Sequence, residues 1–328
     1  MKVVLPGGSG EIGTVLTRAL AENGHEVVVL SRDRDGKPTG PARRAHWDGA
    51  TGGPWAEELE GAGAVVNLAG RSVNCRYNAA NRREIMDSRI VSTRAVGRAI
   101  AACAEPPATW LQASTATIYA HRYDAANDEQ TGILGGAEPD VPETWRFSID
   151  VAQAWERELE DADTPRTRKV AMRSAIVMSP ERDGTFDVLL GLVRRGLGGT
   201  AGHGRQYVSW VHHEDFARAV MWLIEHDDLA GPVNIAAPNP LPNAEFMRAL
   251  REAWGIRFGL PATRWMLEVG TFFLRTETEL VLKSRRVVSG RLSDAGFEFH
   301  HPTWPEAAQD ICEQWRRLDT QRQKTESP

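Results

Sequence analysis

The chain has 328 residues, of which 41% are hydrophobic and 25% are charged, and its formal net charge is −5. A chain of this length suits one large domain, or one and a half, and can bury a sizeable core without disulfides or metals. The mild acidity and the lack of a long basic run argue against nucleic acid or an anionic membrane as a partner.

Cysteine spacing and hydropathy exclude further classes of protein. The three cysteines, Cys75, Cys103 and Cys312, lie far apart and form no CxxC pair, so neither a disulfide framework nor a zinc site is expected. No stretch of about 18 apolar residues occurs, and the N-terminal apolar run is too short for a signal peptide. We therefore expect a cytoplasmic protein that does not associate with a membrane.

Short apolar strands alternate with helical patterns in the N-terminal half of the sequence. Strands are predicted at 3–5, 27–30, 64–68, 110–114 and 170–173, and helices at 11–23, 82–103 and 145–160. Such alternation is typical of an α/β fold with a parallel sheet and crossover helices. It predicts a Rossmann-type, doubly wound domain over residues 1–175.

The pattern becomes less regular after about residue 180. Glycines crowd the stretch from Gly184 to Gly204, which favours loops around a site. A predicted helix at 214–226 and a predicted strand at 233–235 suggest that residues 205–235 return to the first domain. A smaller, mostly helical substrate region is expected over residues 176–318, followed by a polar, frayed tail over residues 319–328.

The loop between the first strand and the first helix gives the strongest functional signal. It reads Gly7-Gly8-Ser9-Gly10-Glu11-Ile12-Gly13. In such a loop Gly7 permits a tight turn, Gly10 lets the backbone approach a pyrophosphate, and Gly13 allows close packing of helix on strand. The helix N-terminus adds amide donors and the positive end of its dipole. A dinucleotide is therefore predicted, with its pyrophosphate over this loop.

The end of the second strand distinguishes NADP from NAD. An acidic residue there binds the ribose 2′-hydroxyl of NAD, whereas an arginine accommodates the 2′-phosphate of NADP. This chain has Ser31 and Arg32 at that point, and a guanidinium can hold a phosphate through two hydrogen bonds. NAD stays open as the alternative, because a shift of one residue would bring Asp33 to the ribose. The predicted cofactor is NADP(H).

These features give the sequence a resemblance to the short-chain dehydrogenase/reductase superfamily, in its extended and atypical branch. The sequence is more closely similar to the epimerase family proteins that are regarded as NADP-dependent oxidoreductases with a small C-terminal domain. The resemblance also rests on Trp47-Asp48, Asn67-Leu68-Ala69-Gly70, Asp87-Ser88-Arg89, Ala154-Trp155-Glu156, Arg173-Ser174, and the segments 196–212 and 286–297.

The resemblance implies a set of cofactor-binding residues beyond the loop. Asp48 would face the adenine, and residues 67–70 would line the adenosine and ribose side of the cleft. Glu84 and Arg89 match positions that touch the cofactor, and Ile176 would pass near the nicotinamide. The complete predicted set is Gly7, Ser9, Gly10, Glu11, Ile12, Gly13, Ser31, Arg32, Asp48, Asn67, Leu68, Ala69, Gly70, Glu84, Arg89 and Ile176.

The catalytic pair of the superfamily is missing from this sequence. The family usually pairs a tyrosine acid/base with a lysine four residues later, because a free phenol titrates near pH 10 and needs a nearby cation at neutral pH. In the two registers of the corresponding helix, the pair is replaced by Phe147 and Val151 or by Ser148 and Ala152. No lysine occurs between residues 37 and 169, so no other alignment restores the pair.

Two residues are candidates for the chemistry that remains. By resemblance, Thr115 falls at the upstream hydroxyl position of the superfamily and would orient a substrate oxygen. Tyr119 lies just beyond the same predicted strand and is the predicted acid, with His121 and Tyr123 as neighbours that could also reach the cleft. No metal is predicted at His212-His213-Glu214-Asp215, because adjacent histidines lack the helical i, i+4 spacing of metal ligands.

The sequence therefore predicts an NADP(H)-binding oxidoreductase that transfers a hydride to or from a small carbonyl or alcohol substrate. The missing pair keeps open a non-catalytic NADP(H)-binding sensor or scaffold, since a Rossmann fold does not guarantee chemistry. A nucleotide-sugar epimerase is a third hypothesis, weakened because it needs the same acid/base pair. The expected partner is a small molecule, and a homodimer stays open because relatives often pair through two helices.

Overall fold

A seven-stranded sheet organises the chain, whose computed structural model describes residues 1–33, 40–139, 141–262 and 282–326. The strands of the molecule are β1 (Lys2–Pro6), β2 (Glu26–Ser31), β3 (Arg43–His46), β4 (Ala64–Asn67), β5 (Thr109–Thr115), β6 (Arg168–Ser174), β7 (Ile176–Met178), β8 (Tyr207–Val208), β9 (Trp210–His212), β10 (Gly231–Ile235) and β11 (Leu241–Pro242). The large sheet has the order β3-β2-β1-β4-β5-β6-β10 with parallel pairing throughout, which confirms the predicted Rossmann-type architecture.

Helices cover both faces of this sheet. The described helices are α1 (Glu11–Glu22), α2 (Ala79–Ala102), α3 (Glu143–Glu160), α4 (Thr185–Arg194), α5 (His213–Glu225), α6 (Asn243–Trp254), α7 (Gly290–Asp294) and α8 (Trp304–Glu326), with short 3-10 helices at Pro54–Leu59 and Ala116–Ile118. None of the described helices combines the length and the apolar composition needed to cross a membrane.

The strands of the sheet are buried on both faces, as parallel strands usually are. On one face, alternate residues of β1 and β2 pack against α1 and α5, for example Leu5 against Leu16 and Phe216. On the other face, the intervening residues pack against α2 and the end of α3, for example Val4 against Val96. This two-sided packing explains why the sequence shows continuous apolar runs at these strands rather than alternation.

A third core lies in the C-terminal half. It joins α4, α6 and α8 through large aromatic side chains, including Phe186, Phe246 and Trp304. The rings of Phe246 and Trp304 stack with 4.0 Å between their centroids. Two small strand pairs, β7 with β9 and β8 with β11, extend this region beyond the carboxyl edge of the sheet. Between β9 and β11 the chain returns to the large sheet as β10, beside β6.

Several elements differ from their sequence-based expectations. The edge strand β3 has no apolar run, because it consists of Arg43–His46, and the pattern did not predict it. Helix α2 begins at Ala79, where the side chain of Asn78 accepts a hydrogen bond from the amide of Asn81. Helix α8 continues to Glu326, so the polar residues 319–326 are helical rather than frayed.

The order of the strands positions a crevice. The chain leaves β1 toward one side of the sheet and continues from β4 toward the other, which makes the gap between these neighbours a topological switch point. Ligands of open α/β sheets bind outside the carboxyl ends of the strands at such points.

Candidate functional site

A cleft runs along the carboxyl edge of the sheet at the switch point between β1 and β4. It consists of two adjoining cavities of about 460 and 530 Å³, which share the wall formed by Gly7, Gly10, Leu68, Gly70 and Arg71. The first cavity lies toward the ends of β2 and β3, and the second toward β5, β6 and α3. Volumes of this size are typical of ligand and cofactor sites.

Most of the predicted site residues lie in this cleft, and four do not. Those in its wall are Gly7, Ser9, Gly10, Glu11, Ile12, Gly13, Ser31, Arg32, Asp48, Leu68, Ala69, Gly70, Arg89 and Thr115. The residues that lie outside the wall are Asn67, Glu84, Ile176 and Tyr119.

Three of the four glycines of the loop, at positions 7, 10 and 13, have different structural surroundings. Gly7 has a φ of 75°, and a Cβ there would lie 2.6 Å from Cα of Ala69. A Cβ on Gly13 would lie 2.2 Å from the carbonyl oxygen of Gly8. Gly10 has a φ of −85°, and a Cβ there would meet no atom within 4 Å. The protein itself therefore requires glycine at positions 7 and 13, whereas glycine at position 10 leaves room in the cleft.

The first turn of α1 presents its amides to the same place. Gly10 is the N-cap residue and has no side chain to bond them, so the N–H groups of residues 11–13 have no partner within the helix. Together with the positive end of the helix dipole, these donors form a site for an anion. The room left at Gly10 therefore lies in front of a group of amide donors.

The end of β2 forms one wall of the first cavity. Ser31 is buried, and its Oγ accepts a hydrogen bond from the amide of Asp33 over 3.2 Å. Arg32 is exposed beside it and lines the cavity, whereas Asp33 does not. The alternative register, with Asp33 at the ribose, is therefore the less favourable one in this geometry.

Asp48 and Trp47 form the opposite wall of the first cavity. The Asp48 carboxylate accepts hydrogen bonds from the Thr51 hydroxyl and from the amides of Thr51 and Ala50, and these bonds lower its pKa to about 2. The Trp47 ring packs edge-on against Trp55 with 5.1 Å between centroids. A fixed carboxylate beside an aromatic ring can bind the amino group and the face of a purine.

Asn67 supports the cleft from behind rather than lining it. Its side chain is fully buried, donates to Gln112 Oε1 over 2.9 Å, and accepts from the amide of Ala69 over 3.1 Å. The cofactor-binding role predicted for Asn67 therefore does not fit its position. Its hydrogen bonds hold the backbone of residues 68–70, which do line the cleft.

The helix α2 contributes one cation, Arg89, to the cleft wall, but not the carboxylate predicted at Glu84. Arg89 lies in the second cavity, where it donates to the carbonyls of Arg71 and Ile85, stacks on Trp155 at 4.8 Å, and has its pKa lowered to about 10 by burial. Glu84 is 58% exposed and forms an ion pair with Arg71 outside the wall. Glu84 thus positions Arg71, a cleft residue that the sequence did not single out.

Hydroxyl groups crowd the second cavity at the ends of β5 and β6. Ser114, Thr115, Thr117 and Ser174 all lie in its wall. Thr115 Oγ1 accepts a hydrogen bond from the amide of Thr117 over 3.2 Å, so it can still donate its own hydrogen to a ligand. A wall of this kind can orient and polarise a carbonyl or alcohol oxygen.

Tyr119 lies behind this wall, in the protein core. It is 2% exposed, its hydroxyl donates to Asn234 Oδ1 over 2.9 Å and accepts from Arg173 over 3.0 Å, and burial raises its pKa. The hydroxyl is thus committed to structural hydrogen bonds. The general-acid role predicted for Tyr119 does not fit this position.

A buried ion pair reaches the second cavity through Ser114. Arg173 binds Glu156 through two hydrogen bonds of 2.8 and 2.6 Å, and the Ser114 hydroxyl donates to the same carboxylate over 2.5 Å. Burial alone would lower the pKa of Arg173, but its hydrogen bonds with Glu156 raise it. Glu156 lies one helical turn beyond Ala152, so in the register that puts the superfamily's lysine at position 152, this carboxylate lies on the same face of α3.

The positions of two further predicted residues, Ile176 and Glu11, depend on contacts with the C-terminal half. Ile176 belongs to β7, which leaves the cleft and pairs with β9, so it lies outside both cavities. Glu11 does line the second cavity, but its carboxyl group accepts a hydrogen bond of 2.5 Å from Ser179. Burial raises the pKa of Glu11, and the nearby carboxylates of Glu181 and Asp187 raise it further.

Arg285 is a cleft residue that sequence reasoning missed. It is 7% exposed, lines the second cavity, and donates from Nε to Thr117 Oγ1 over 3.3 Å. The residues it approaches are more than 160 positions away, so no local motif marks it. The chain returns from the C-terminal half to place this guanidinium beside the hydroxyl groups.

The histidine cluster lies away from the cleft, between α5 and α8. His212 accepts a hydrogen bond from the amide of Glu214, contacts Asp310 through Nε2 at 3.0 Å, and stacks on His301 at 3.7 Å. Burial and the neighbouring histidines lower the pKa of His212 to about 2. These hydrogen bonds and ring contacts connect α8 to the start of α5.

Comparison with known proteins gives a consistent family match. The chain matches the model of the NAD dependent epimerase/dehydratase family over residues 3–236 and a domain of unknown function (DUF1731) over residues 262–311. It is 32% identical over 315 residues to the epimerase family protein SDR39U1 of Bos taurus, covering 95% of this chain and 99% of the relative. The epimerase family protein YfhF of Bacillus subtilis is 29% identical, with 91% of this chain and 94% of the relative covered.

Solved structures show the same relationship. The human epimerase family protein SDR39U1, crystallised with NADPH, superposes with a TM-score of 0.81 at 30% identity and covers 95% of this chain and 99% of its own. The UDP-N-acetylglucosamine 4-epimerase of Bacillus cereus superposes with a TM-score of 0.72 at 16% identity, covering 96% of this chain and 99% of its own, and shares the fold.

Proposed function

The chain belongs to the NAD dependent epimerase/dehydratase family, and we propose that it is an oxidoreductase that binds NADP(H) and transfers a hydride to or from a small carbonyl or alcohol substrate. The observation that carries the proposal is the continuity of the cleft. A cavity that suits an adenosine phosphate adjoins, across the glycine loop, a cavity lined with hydroxyl groups. A related protein, human SDR39U1, was crystallised with NADPH.

The residues of the first cavity fit an NADP(H) adenosine. The Arg32 guanidinium and the Ser31 hydroxyl would hold the 2′-phosphate, and the amides at the start of α1 would hold the pyrophosphate. The absence of a side chain at Gly10 leaves the space that a phosphate needs. Bound NADPH would supply the hydride for the reaction.

The residues of the second cavity can position a substrate oxygen. Thr115, polarised by the hydrogen bond from the Thr117 amide, would donate its hydroxyl hydrogen to that oxygen. Such a preorganised donor is worth most where water is excluded and negative charge develops on the oxygen. We therefore retain, as part of this proposal, the orienting role that the resemblance implies for Thr115.

A route for the proton replaces the missing tyrosine and lysine. During alcohol oxidation, Ser114 Oγ would accept the substrate hydroxyl proton while its own proton passes to the Glu156 carboxylate, 2.5 Å away. During carbonyl reduction the two transfers would run in reverse and deliver a proton to the new alcohol. Arg173 fixes the carboxylate through two hydrogen bonds and would hold it in place during both transfers.

The experiment is a turnover assay with matched variants. NADPH oxidation and NADP⁺ reduction would be followed at the absorbance band of the reduced nicotinamide, with a panel of small carbonyl compounds and alcohols. For a substrate found in this way, Ser114→Ala and Thr115→Val are expected to lower kcat by at least about tenfold, within the usual range for acid/base and oxyanion-binding groups. Ser293→Ala, on α7 and outside the cleft, should leave kcat unchanged. Full activity in both cleft variants would refute these roles.

The loss of the tyrosine and lysine favours one other candidate function. Ser148 lines the second cavity and Ala152 is fully buried, but a serine hydroxyl and a methyl group cannot supply the phenol and the ammonium of the usual pair. A protein that binds NADP(H) without turnover is the alternative. Tight NADPH binding with no turnover across the whole panel would favour that alternative over the oxidoreductase.

A further inference from the structure

The second cavity has a guanidinium at its inner wall. Arg285 comes from the segment 282–289 and donates to Thr117 Oγ1 over 3.3 Å. The amide of Thr117 in turn donates to Thr115 Oγ1 over 3.2 Å. Arg285 is thus two hydrogen bonds away from the hydroxyl that is proposed to orient the substrate oxygen.

Cations outnumber acids in the described wall of this cavity. It contains Arg71, Arg89 and Arg285 but only one carboxyl group, that of Glu11, which is hydrogen-bonded to Ser179. Of these arginines, Arg71 is paired with Glu84 outside the wall, and the Glu156 carboxylate behind Ser114 is paired with Arg173. A further cation lies behind the wall, because the buried Lys283 donates from Nζ to the carbonyl of Thr117 over 2.8 Å. Coulombic attraction strengthens as water is excluded, so this wall favours an anionic ligand.

The three arginines lie in two different parts of the wall. Arg71 and Arg89 lie beside Gly70, where the wall adjoins the glycine loop and the proposed pyrophosphate site. Arg285 approaches from the C-terminal half, next to the hydroxyl groups at the end of β5. A guanidinium in that place is well suited to a planar carboxylate or to a phosphate, which it can bind through two donors.

We propose that Arg285 binds an anionic group of the substrate, a carboxylate or a phosphate, close to the carbonyl or alcohol carbon that reacts. The substrate class is then that of small anionic carbonyl compounds and their alcohols. The proposal rests on the proposed function for the reaction, but the anion site itself can be tested by binding alone.

The test is calorimetric titration of the NADPH-loaded protein with three probes. Oxamate carries a carboxylate, oxamide is its neutral analogue of the same size, and inorganic phosphate tests the other source of charge. We expect the wild-type protein to bind oxamate or phosphate at least tenfold more tightly than oxamide. Preference for oxamate would identify a carboxylate substrate, and preference for phosphate would identify a phosphorylated one.

Variants then locate the binding. Arg285→Gln should weaken binding of the preferred anion at least tenfold and change NADPH affinity by less than twofold. Arg286→Gln is the matched control, because that neighbouring guanidinium is half-buried, does not line the cavity, and donates instead to the carbonyls of Tyr123 and Asp124. Arg285→Lys keeps the charge but loses the planar fork, so its affinity for the preferred anion should lie between those of the wild type and the glutamine variant. It provides the test if Arg285→Gln does not fold.

Two results would overturn the proposal. One is equal binding of oxamate, oxamide and phosphate by the wild-type protein, and the other is an unchanged anion affinity in folded Arg285 variants. The hydride-transfer proposal would fail in a different way. In that case the protein would bind the anion through Arg285 but would not turn over any anionic carbonyl compound.

Discussion

Replacing Gly10 by alanine separates the cofactor site from the stability of the fold. The backbone at Gly10 has φ −85° and ψ −177°, which alanine adopts without strain, and the new Cβ would meet no protein atom within 4 Å. Alanine is a poorer N-cap than glycine, but it also restricts the unfolded chain, and each effect is worth about 1 kcal/mol or less with opposite sign. We expect the free energy of unfolding to change by less than about 1 kcal/mol.

The same methyl group would stand where the two cavities meet. Gly10 lies in the wall of both, in front of the free amides of α1. A pyrophosphate pushed away by a methyl group would lose or lengthen at least one hydrogen bond to a charged oxygen, worth about 1.5–3 kcal/mol. We therefore expect NADPH to bind at least about tenfold more weakly, since each 1.4 kcal/mol is a factor of ten.

Titration of NADPH fluorescence would measure the affinity, and thermal denaturation would measure the stability. Gly52→Ala is a neutral control, because its Cβ would also meet nothing within 4 Å and the residue lies outside the cleft. Gly13→Ala is the opposite control, because its Cβ would lie 2.2 Å from the Gly8 carbonyl oxygen and should lower the melting temperature. Wild-type NADPH affinity in Gly10→Ala would refute the placement of the pyrophosphate.

Three further predictions concern single side chains. Arg32→Gln should weaken NADPH binding about tenfold in fluorescence titrations but leave NADH binding within twofold, because only NADPH carries the 2′-phosphate; equal losses would contradict this. The raised pKa of Glu11 means that folding favours its neutral form, so the free energy of unfolding of the wild-type protein should fall as pH rises from the ordinary carboxyl pKa toward neutrality. Measured by urea unfolding, Glu11→Gln should lack that part of the decline. Parallel pH profiles of the two proteins would exclude the effect. Tyr119→Phe should cost about 2 kcal/mol in urea unfolding, since it leaves Arg173 and Asn234 without their shared hydroxyl, and should keep kcat; a large loss of kcat in the folded variant would restore Tyr119 as the acid.

Local patterns in the sequence pointed to one side of the cleft. The glycine loop joins β1 directly to α1, and Ser31-Arg32 lie at the end of β2; residues 68–70, which the resemblance implied, follow β4 and line the same cleft. Asn67 was misplaced by one position, because the side chain of the last residue of β4 points into the core rather than into the cleft. Within a strand, sequence spacing alone does not say which residue ends the buried part.

The other side of the cleft depends on contacts between distant parts of the chain. Tyr119 is held by Asn234, 115 residues later, and Thr117 is approached by Arg285, 168 residues later. Ile176 lies outside the cleft because β7 pairs with β9 instead of continuing the large sheet. No periodicity or motif in the sequence encodes these pairings, so the proton route through Ser114 and the anion site at Arg285 could only be proposed once the fold was known.

The last strand of the large sheet affects how the protein can be made. Strand β10 covers β6 along Val170 to Ser174, but it is synthesised some 60 residues later, which is about 3–12 s at ~5–20 residues per second. During that interval the growing polypeptide has β6 as a bare edge, with unpaired amides and carbonyls that can recruit other chains. A nascent chain stalled or truncated between residues 175 and 230 would thus be a candidate for aggregation and for chaperone capture on the ribosome.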